Sequence, residues 1–294
     1  MKEEEVKALI SLLDDPDEEI FSLISQSLLK QGPEIIPELE KAWEYSLDSN
    51  LQLRLEKIIQ EIQFSHVKNN LREWTNSGGD NLLEGAYYVA KYQYPDLRFD
   101  DITEKINKLK RDIWLELNNN LTALEKVRII NHVLFETHKF TSNSTSFYSP
   151  QNSFINNVLD RKKGNQITLS ILYLSVVQQL ELPIFGVNLP KNFILAYVDA
   201  KSYMEASKLL KDLKNVLFYI NPYNKGSVLG NREIEYYLKQ QKIDPRDTYF
   251  LPCSNIEIIQ RLLQNLIYSY EKFGPPEKIN LVQELVKIVS QTEI

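Results

Sequence analysis

Gln166-Ile167-Thr168-Leu169-Ser170-Ile171-Leu172-Tyr173-Leu174-Ser175-Val176-Val177-Gln178-Gln179-Leu180 is the most apolar run of helical length in the chain. Its apolar residues fall all round a helical period and leave little polar surface, as in a buried helix. Pro183 ends the run. Two strand-like runs follow, Ile184 to Leu189 and Phe193 to Val198, both rich in β-branched and aromatic residues. A third, Val216 to Ile220, comes after a lysine-rich connection. One buried helix followed by a small antiparallel sheet is the predicted core.

On either side the sequence reads as helix. Val6, Leu9, Ile10, Leu12 and Leu13 keep helical spacing up to Asp14-Asp15-Pro16-Asp17, where the chain breaks and recaps. Ile20, Phe21, Ile24, Leu28 and Leu29 form the next apolar face, and Gly32-Pro33 closes it. Ile35, Ile36, Leu39, Ala42 and Trp43 begin a third helix. Leu51, Leu53, Leu55, Ile58, Ile59 and Ile62 mark a fourth. Two successive hairpins of similar length are the grammar of an α-solenoid, and the stretch around Leu9 to Gly32 resembles a HEAT repeat in its Asp-Pro-Asp turn and closing Gly32. Ser77-Gly78-Gly79-Asp80 is the clearest internal break. Helices are predicted over Leu82 to Tyr92, Asp101 to Leu117 and Leu124 to Glu136, with residues 141–153 as a loop. The tail, Ile256 to Phe273 and Lys278 to Val289 around Gly274-Pro275-Pro276, resembles one tetratricopeptide-type hairpin.

Composition narrows the function. Net charge is −6 and the basic residues are spread along the chain. Nucleic-acid binding would need them gathered on one stripe. A single cysteine, Cys253, rules out an intramolecular disulfide and a Cys-cluster metal site. The acidic start Met1-Lys2-Glu3-Glu4-Glu5 carries no apolar signal core, and no run of about eighteen apolar residues exists to span a bilayer. A soluble, cytoplasmic protein without a cofactor is expected.

The fold plan of a buried helix and a small sheet is that of papain-like and transglutaminase-like enzymes. A more specific resemblance rests on an ordered series of motifs. It runs through Tyr94-Pro95-Asp96-Leu97, Tyr148-Ser149-Pro150-Gln151-Asn152-Ser153, Val158-Leu159-Asp160-Arg161-Lys162-Lys163-Gly164 and Ile167-Thr168-Leu169-Ser170. It continues with Gly186-Val187-Asn188-Leu189-Pro190, Asn192-Phe193, Ile220-Asn221-Pro222-Tyr223-Asn224-Lys225-Gly226 and Ser254-Asn255-Ile256-Glu257-Ile258. Over residues 80 to 290 the chain resembles the SirB-type, transglutaminase-like family of bacteria. The resemblance implies an α+β, predominantly helical fold with a transglutaminase-like (papain-like) core. The expected domains are 1–77 (HEAT-like hairpins, outside this resemblance), 78–250 (transglutaminase-like) and 251–294 (tetratricopeptide-like hairpin).

In such enzymes a Cys at the helix start is activated by a His and an Asp from the sheet. Members of the family often keep the His in Gly-His-Phe and the Asp in Asp-Pro, whereas the Cys, just after a Gly, is commonly altered. Here the three positions hold Gln166, Asn192 and Asn221. Carboxamides neither ionise usefully nor accept a proton near neutral pH. The resemblance therefore implies a degenerate site with no catalytic residue.

Other residues carry alternatives. Cys253 is either a relocated nucleophile or a small apolar residue at a helix entrance. His132 and His138 lie six apart, which is wrong for two metal ligands on one helix face, and His66 is isolated. Asp160-Arg161-Lys162-Lys163-Gly164 is either an anion-holding turn or a solvated loop. Phe147, Tyr148, Tyr173, Phe193 and Tyr223 are either core or the lining of a remnant cleft. Its expected residues are Tyr148, Asn152, Arg161, Gly164, Tyr173 and Tyr223. Two functions remain open: a non-catalytic binding or scaffold module with a protein or peptide partner, or a hydrolase or transferase using other cleft residues. No metal, membrane or nucleic-acid partner is expected.

Overall fold

The structure is a computed structural model that describes residues 3–15, 17–199 and 215–290. Pro16 and most of the lysine-rich connection lie outside the described residues. The chain divides into two compact units, Met1–Asn70 and Leu71–Ile294.

The first unit is helical: α1 (Glu3–Ser11), α2 (Glu18–Leu29), α3 (Ile36–Tyr45) and most of α4 (Ser49–Asn76). Val6, Ile10, Leu13, Leu28, Ile35, Leu39, Leu55, Ile58 and Ile62 form its core. Asp17 caps α2, accepting from Glu19 N. Arg54 fastens the α1–α2 turn. Its guanidinium donates to the carbonyls of Leu13 (2.7 Å) and Asp15 (2.8 Å) and lies 4.4 Å from the Phe21 ring centroid. Four residues drawn into the apolar faces, Leu12, Ile20, Trp43 and Leu53, are exposed, because the helical turn carries them off the buried stripe. The fourth helix also runs well beyond Ile62. Val67, Leu71 and Trp74 continue the spacing and are buried.

The second unit is predominantly helical α+β. It contains α5 (Leu82–Lys91), α6 (Phe99–Trp114), α7 (Ala123–Asn131), a π-helical turn (His132–Thr137), α8 (Ile155–Arg161) and α9 (Gln166–Gln179). It closes with α10 (Asn231–Gln240), α11 (Asn255–Phe273) and α12 (Pro276–Ser290). Every residue from Ile167 to Val177 is buried, as its all-round apolar character requires. Strands β3 (Ile184–Val187), β4 (Ile194–Val198), β5 (Val216–Asn221) and β6 (Ser227–Leu229) form an antiparallel meander in sequence order. A parallel two-residue ladder joins β1 (Thr141–Ser142) to β2 (Lys163–Gly164). Helix α9 packs on β3 and β4 and on the 3-10 turn Pro222–Asn224. It also packs on α5, α6, α8 and α11. The tail helices belong to this unit rather than standing apart: Asn255 Nδ2 donates to the carbonyls of Gly79 (3.0 Å) and Asp80 (2.8 Å). No helix among the described residues is long and apolar enough to cross a membrane.

Candidate functional site

The start of α9 is built by a buried polar network. Asn165 is the N-cap, and its Oδ1 accepts from Thr168 N at 2.9 Å. Thr168 Oγ1 accepts in return from Asn165 N at 3.1 Å, closing a capping box. The same hydroxyl donates to the Asn152 carbonyl at 2.6 Å. Asn165 Nδ2 and Asn265 Nδ2 both donate to Ser153 Oγ, at 3.1 and 3.2 Å. Gly164 stands where a side chain has no room: a Cβ would lie 2.9 Å from Thr168 Oγ1 and 3.1 Å from Leu169 Cγ. Gln166, the first residue of the helix, is half-buried, and its carboxamide makes no hydrogen bond among the described residues.

Asn192 and Asn221 come from the sheet. Asn192 precedes β4, and its Oδ1 accepts from Phe193 N at 2.8 Å. Asn221 ends β5, and its Oδ1 accepts from Asn224 N at 3.4 Å. The register Leu195↔Ile220 sets the start of β4, and so Asn192, beside the end of β5 that Asn221 closes. The turn after Asn221 is pinned from α7, where Asn131 Nδ2 donates to the Gly226 carbonyl at 2.7 Å. Gly226 has φ +73°, and a Cβ there would sit 2.0 Å from Asn131 Oδ1. Strand β1 joins the two halves: Ser142 pairs with Gly164, and the strand packs on the 3-10 turn Pro222–Asn224. One short strand thus touches the position two before Gln166 and the turn that follows Asn221.

The other expected cleft residues divide. Asn152 is buried and structural: its Oδ1 accepts from Asn143 Nδ2 at 2.8 Å, and its Nδ2 donates to the Ser146 (2.7 Å) and Phe147 (3.2 Å) carbonyls. Arg161 is exposed on α8 and bonds to Gln151. Tyr173 lies in the core, stacked on Phe135 at 6.4 Å. Burial pushes its phenol far up, and its hydroxyl has no partner among the described residues. Phe193 is also core. Tyr148 and Tyr223 reach the surface in a cluster of rings: Phe147–Tyr148 5.0 Å, Phe147–Tyr223 6.3 Å, Tyr148–Tyr268 5.6 Å and Tyr148–Phe273 6.4 Å. The sequence reading missed Asn165, Asn265, Tyr268 and Phe273. The Asn165-x-x-Thr168 spacing before an apolar run was a legible capping signal; for the others no local signal exists.

Cys253 pairs its backbone with Gly186 at the edge of β3, donating to the Gly186 carbonyl at 2.8 Å. Burial, reinforced by the Glu257 carboxylate, pushes the thiol far up, the opposite of what a nucleophile needs. Each His has another partner: His138 Nε2 lies 2.8 Å from Asp112, His132 Nδ1 3.0 Å from Glu136, and His66 Nε2 2.9 Å from Asn70 Nδ2. In the basic turn, Asp160 pairs with Lys105, and the Lys162 ammonium sits 4.4 Å from the Phe140 ring centroid. A cleft of about 650 Å³ beside α6 sets Lys105, Lys108 and Arg111 against Asp101, Glu104 and Asp160, so charge selects no ionic ligand there.

The chain is similar to several known proteins. It is 26% identical to the mouse (Mus musculus) F-box only protein 21 over 283 residues, covering 86% of this chain and 44% of that protein. The human protein matches at 25% over the same spans. The chain therefore spans under half the length of these relatives. A UPF0162 protein of Xylella fastidiosa is 30% identical over 198 residues, 64% of each chain. No solved structure matches. Residues 100–264 match the model of the transglutaminase-like superfamily, and this segment contains α9, the sheet and all three carboxamide positions. More than half of the chain is so matched, and the chain belongs to the transglutaminase-like superfamily.

Proposed function

We propose that the chain is a non-catalytic, cytoplasmic member of the SirB type that binds a protein or peptide segment, with Gln166, Asn192 and Asn221 in place of nucleophile, base and orienting acid. The observation that carries this reading is how the carboxamides are used. The oxygens of Asn192 and Asn221 are taken by backbone N–H groups, while their amino groups make no hydrogen bond among the described residues. The Gln166 carboxamide is uncommitted at both ends among the described residues. Such a site offers neutral donors suited to peptide carbonyls and no group that can move a proton near pH 7. HEAT-like hairpins in 1–77 and a tetratricopeptide-like hairpin in 251–294 would add binding surface.

The tyrosines do not favour the alternative, an enzyme working through other cleft residues. Burial pushes the Tyr223 phenol up, and the adjacent Tyr268 phenol pushes Tyr148 up. Both stay protonated at neutral pH and are poor nucleophiles. The test is a pair of assays on the full chain. With a glutamine-containing peptide and a dansylated primary amine, no ammonia release or amine incorporation is expected. On an array of immobilised short peptides, binding is expected and is lost on Asn192→Ala with Asn221→Ala. Turnover that disappears on Gln166→Ala, or an array without binding, overturns the reading.

A further inference from the structure

We infer that residues 143–152 form a hinged strap at the Gln166 and Asn221 end of the site, held shut by the rings of Tyr223, Tyr268 and Phe273 and released to admit a partner segment. This rests on the reading that the carboxamide end is the binding site.

The base of the strap is tied on both sides. Asn143 N donates to the Gly164 carbonyl at 3.0 Å, immediately before the α9 cap, and Asn143 Nδ2 donates to Asn152 Oδ1 at 2.8 Å. Thr168 Oγ1 holds the Asn152 carbonyl at 2.6 Å. A loop of this length whose two ends are bonded to each other is an Ω-loop, a unit that can move as one piece.

Gln151, next to this base, is tied to Arg161 of α8; the tip, residues 146–149, is held differently. Its hydrogen bonds, Ser149 N to the Ser146 carbonyl and Asn152 Nδ2 to the Ser146 and Phe147 carbonyls, stay inside the strap. Beyond the strap, the contacts described for the tip are ring contacts: Phe147 to Tyr223, and Tyr148 to Tyr268 and Phe273. Phe147 and Tyr148 are each 38% exposed, so the clasp is open to water on one side. Edge-to-face rings are weak singly, and a partner's apolar side chains can replace them. The rings also bridge two walls, the turn after Asn221 and the end of α11, so releasing them lifts the tip from both.

Two measurements on the full chain test the strap without any ligand. In the first, Gln166→Cys is labelled with a maleimide in a Cys253→Ser background, with and without Phe147→Ala plus Tyr148→Ala. At least fivefold faster labelling with the altered tip is expected, and equal rates overturn the strap. In the second, chymotrypsin cleavage after Phe147 and Tyr148 is followed by mass. Tyr268→Ala with Phe273→Ala leaves the strap sequence intact and is expected to raise that cleavage about tenfold while cuts elsewhere stay unchanged. Unchanged cleavage, or acceleration across the whole chain, overturns the strap. Gated labelling with no peptide binding would sink the proposed function alone, and binding with ungated labelling the strap alone.

Discussion

Thr168 on α9 donates its hydroxyl proton to the backbone carbonyl of Asn152 at 2.6 Å, joining the helix start to the end of the loop 143–152 inside the core. The same hydroxyl accepts from Asn165 N, so one side chain satisfies two buried backbone groups. Thr168→Val keeps the shape and removes both bonds. Leaving buried polar groups unpaired costs about 1–3 kcal/mol each. A loss of about 2–4 kcal/mol is expected in chemical denaturation, against under about 1 kcal/mol for Thr168→Ser.

Tyr173 presents the opposite case. Its hydroxyl is fully buried and unpartnered among the described residues, a state that costs about 1–3 kcal/mol where no water compensates it. Tyr173→Phe removes the hydroxyl and keeps the stack on Phe135. The variant is expected to be as stable as the parent or more so, by up to about 1 kcal/mol. A destabilisation above about 1 kcal/mol in thermal melts would mean that a buried partner exists.

If Gln166, Asn192 and Asn221 occupy triad positions, the triad can be rebuilt. In a Cys253→Ala background, Gln166→Cys with Asn192→His and Asn221→Asp should give a thiol whose alkylation by iodoacetamide has its pH midpoint at least about one unit below that of Gln166→Cys alone, because an imidazolium favours the thiolate. Identical midpoints would show that these residues do not converge as a triad.

For Cys253 the raised thiol sets the sign of a pH effect. The folded state holds the thiol protonated beyond the point where the unfolded chain ionises it, near pH ~8.5. Its contribution to stability is therefore whole below that pH and declines above it, by at most about 1.4 kcal/mol per pH unit. Comparing denaturation at pH 7.5 and 9.5, Cys253→Ala should lose less stability than the parent chain over this interval. The native thiol should also react with Ellman's reagent at least about tenfold more slowly than in the unfolded chain.

Much of the fold is legible locally. An apolar run without a polar face marks α9 as buried, and β-branched runs mark β3, β4 and β5. Helical spacing locates the hairpins at both ends of the chain. Five elements escape the sequence reading: α8 is two turns long, β1 and β2 have two residues each, β6 has three, and α10 buries only Ile234 and Leu238. Each carries too few apolar positions for a period to show.

The sequence by itself determined the buried helix, the small sheet after it, and the three carboxamides that a family resemblance places at one site. The tertiary structure alone decided which polar groups meet. Asn165 and Asn265 converge on Ser153, β1 links Gly164 to the turn after Asn221, and Tyr148 lies against Tyr268 and Phe273. It also placed Tyr173 in the core rather than in a cleft. The division has a physical origin. Periodicity and capping act over a few residues and are written locally, whereas these contacts join residues separated by many more and arise only when α9 is packed between the sheet and the other helices.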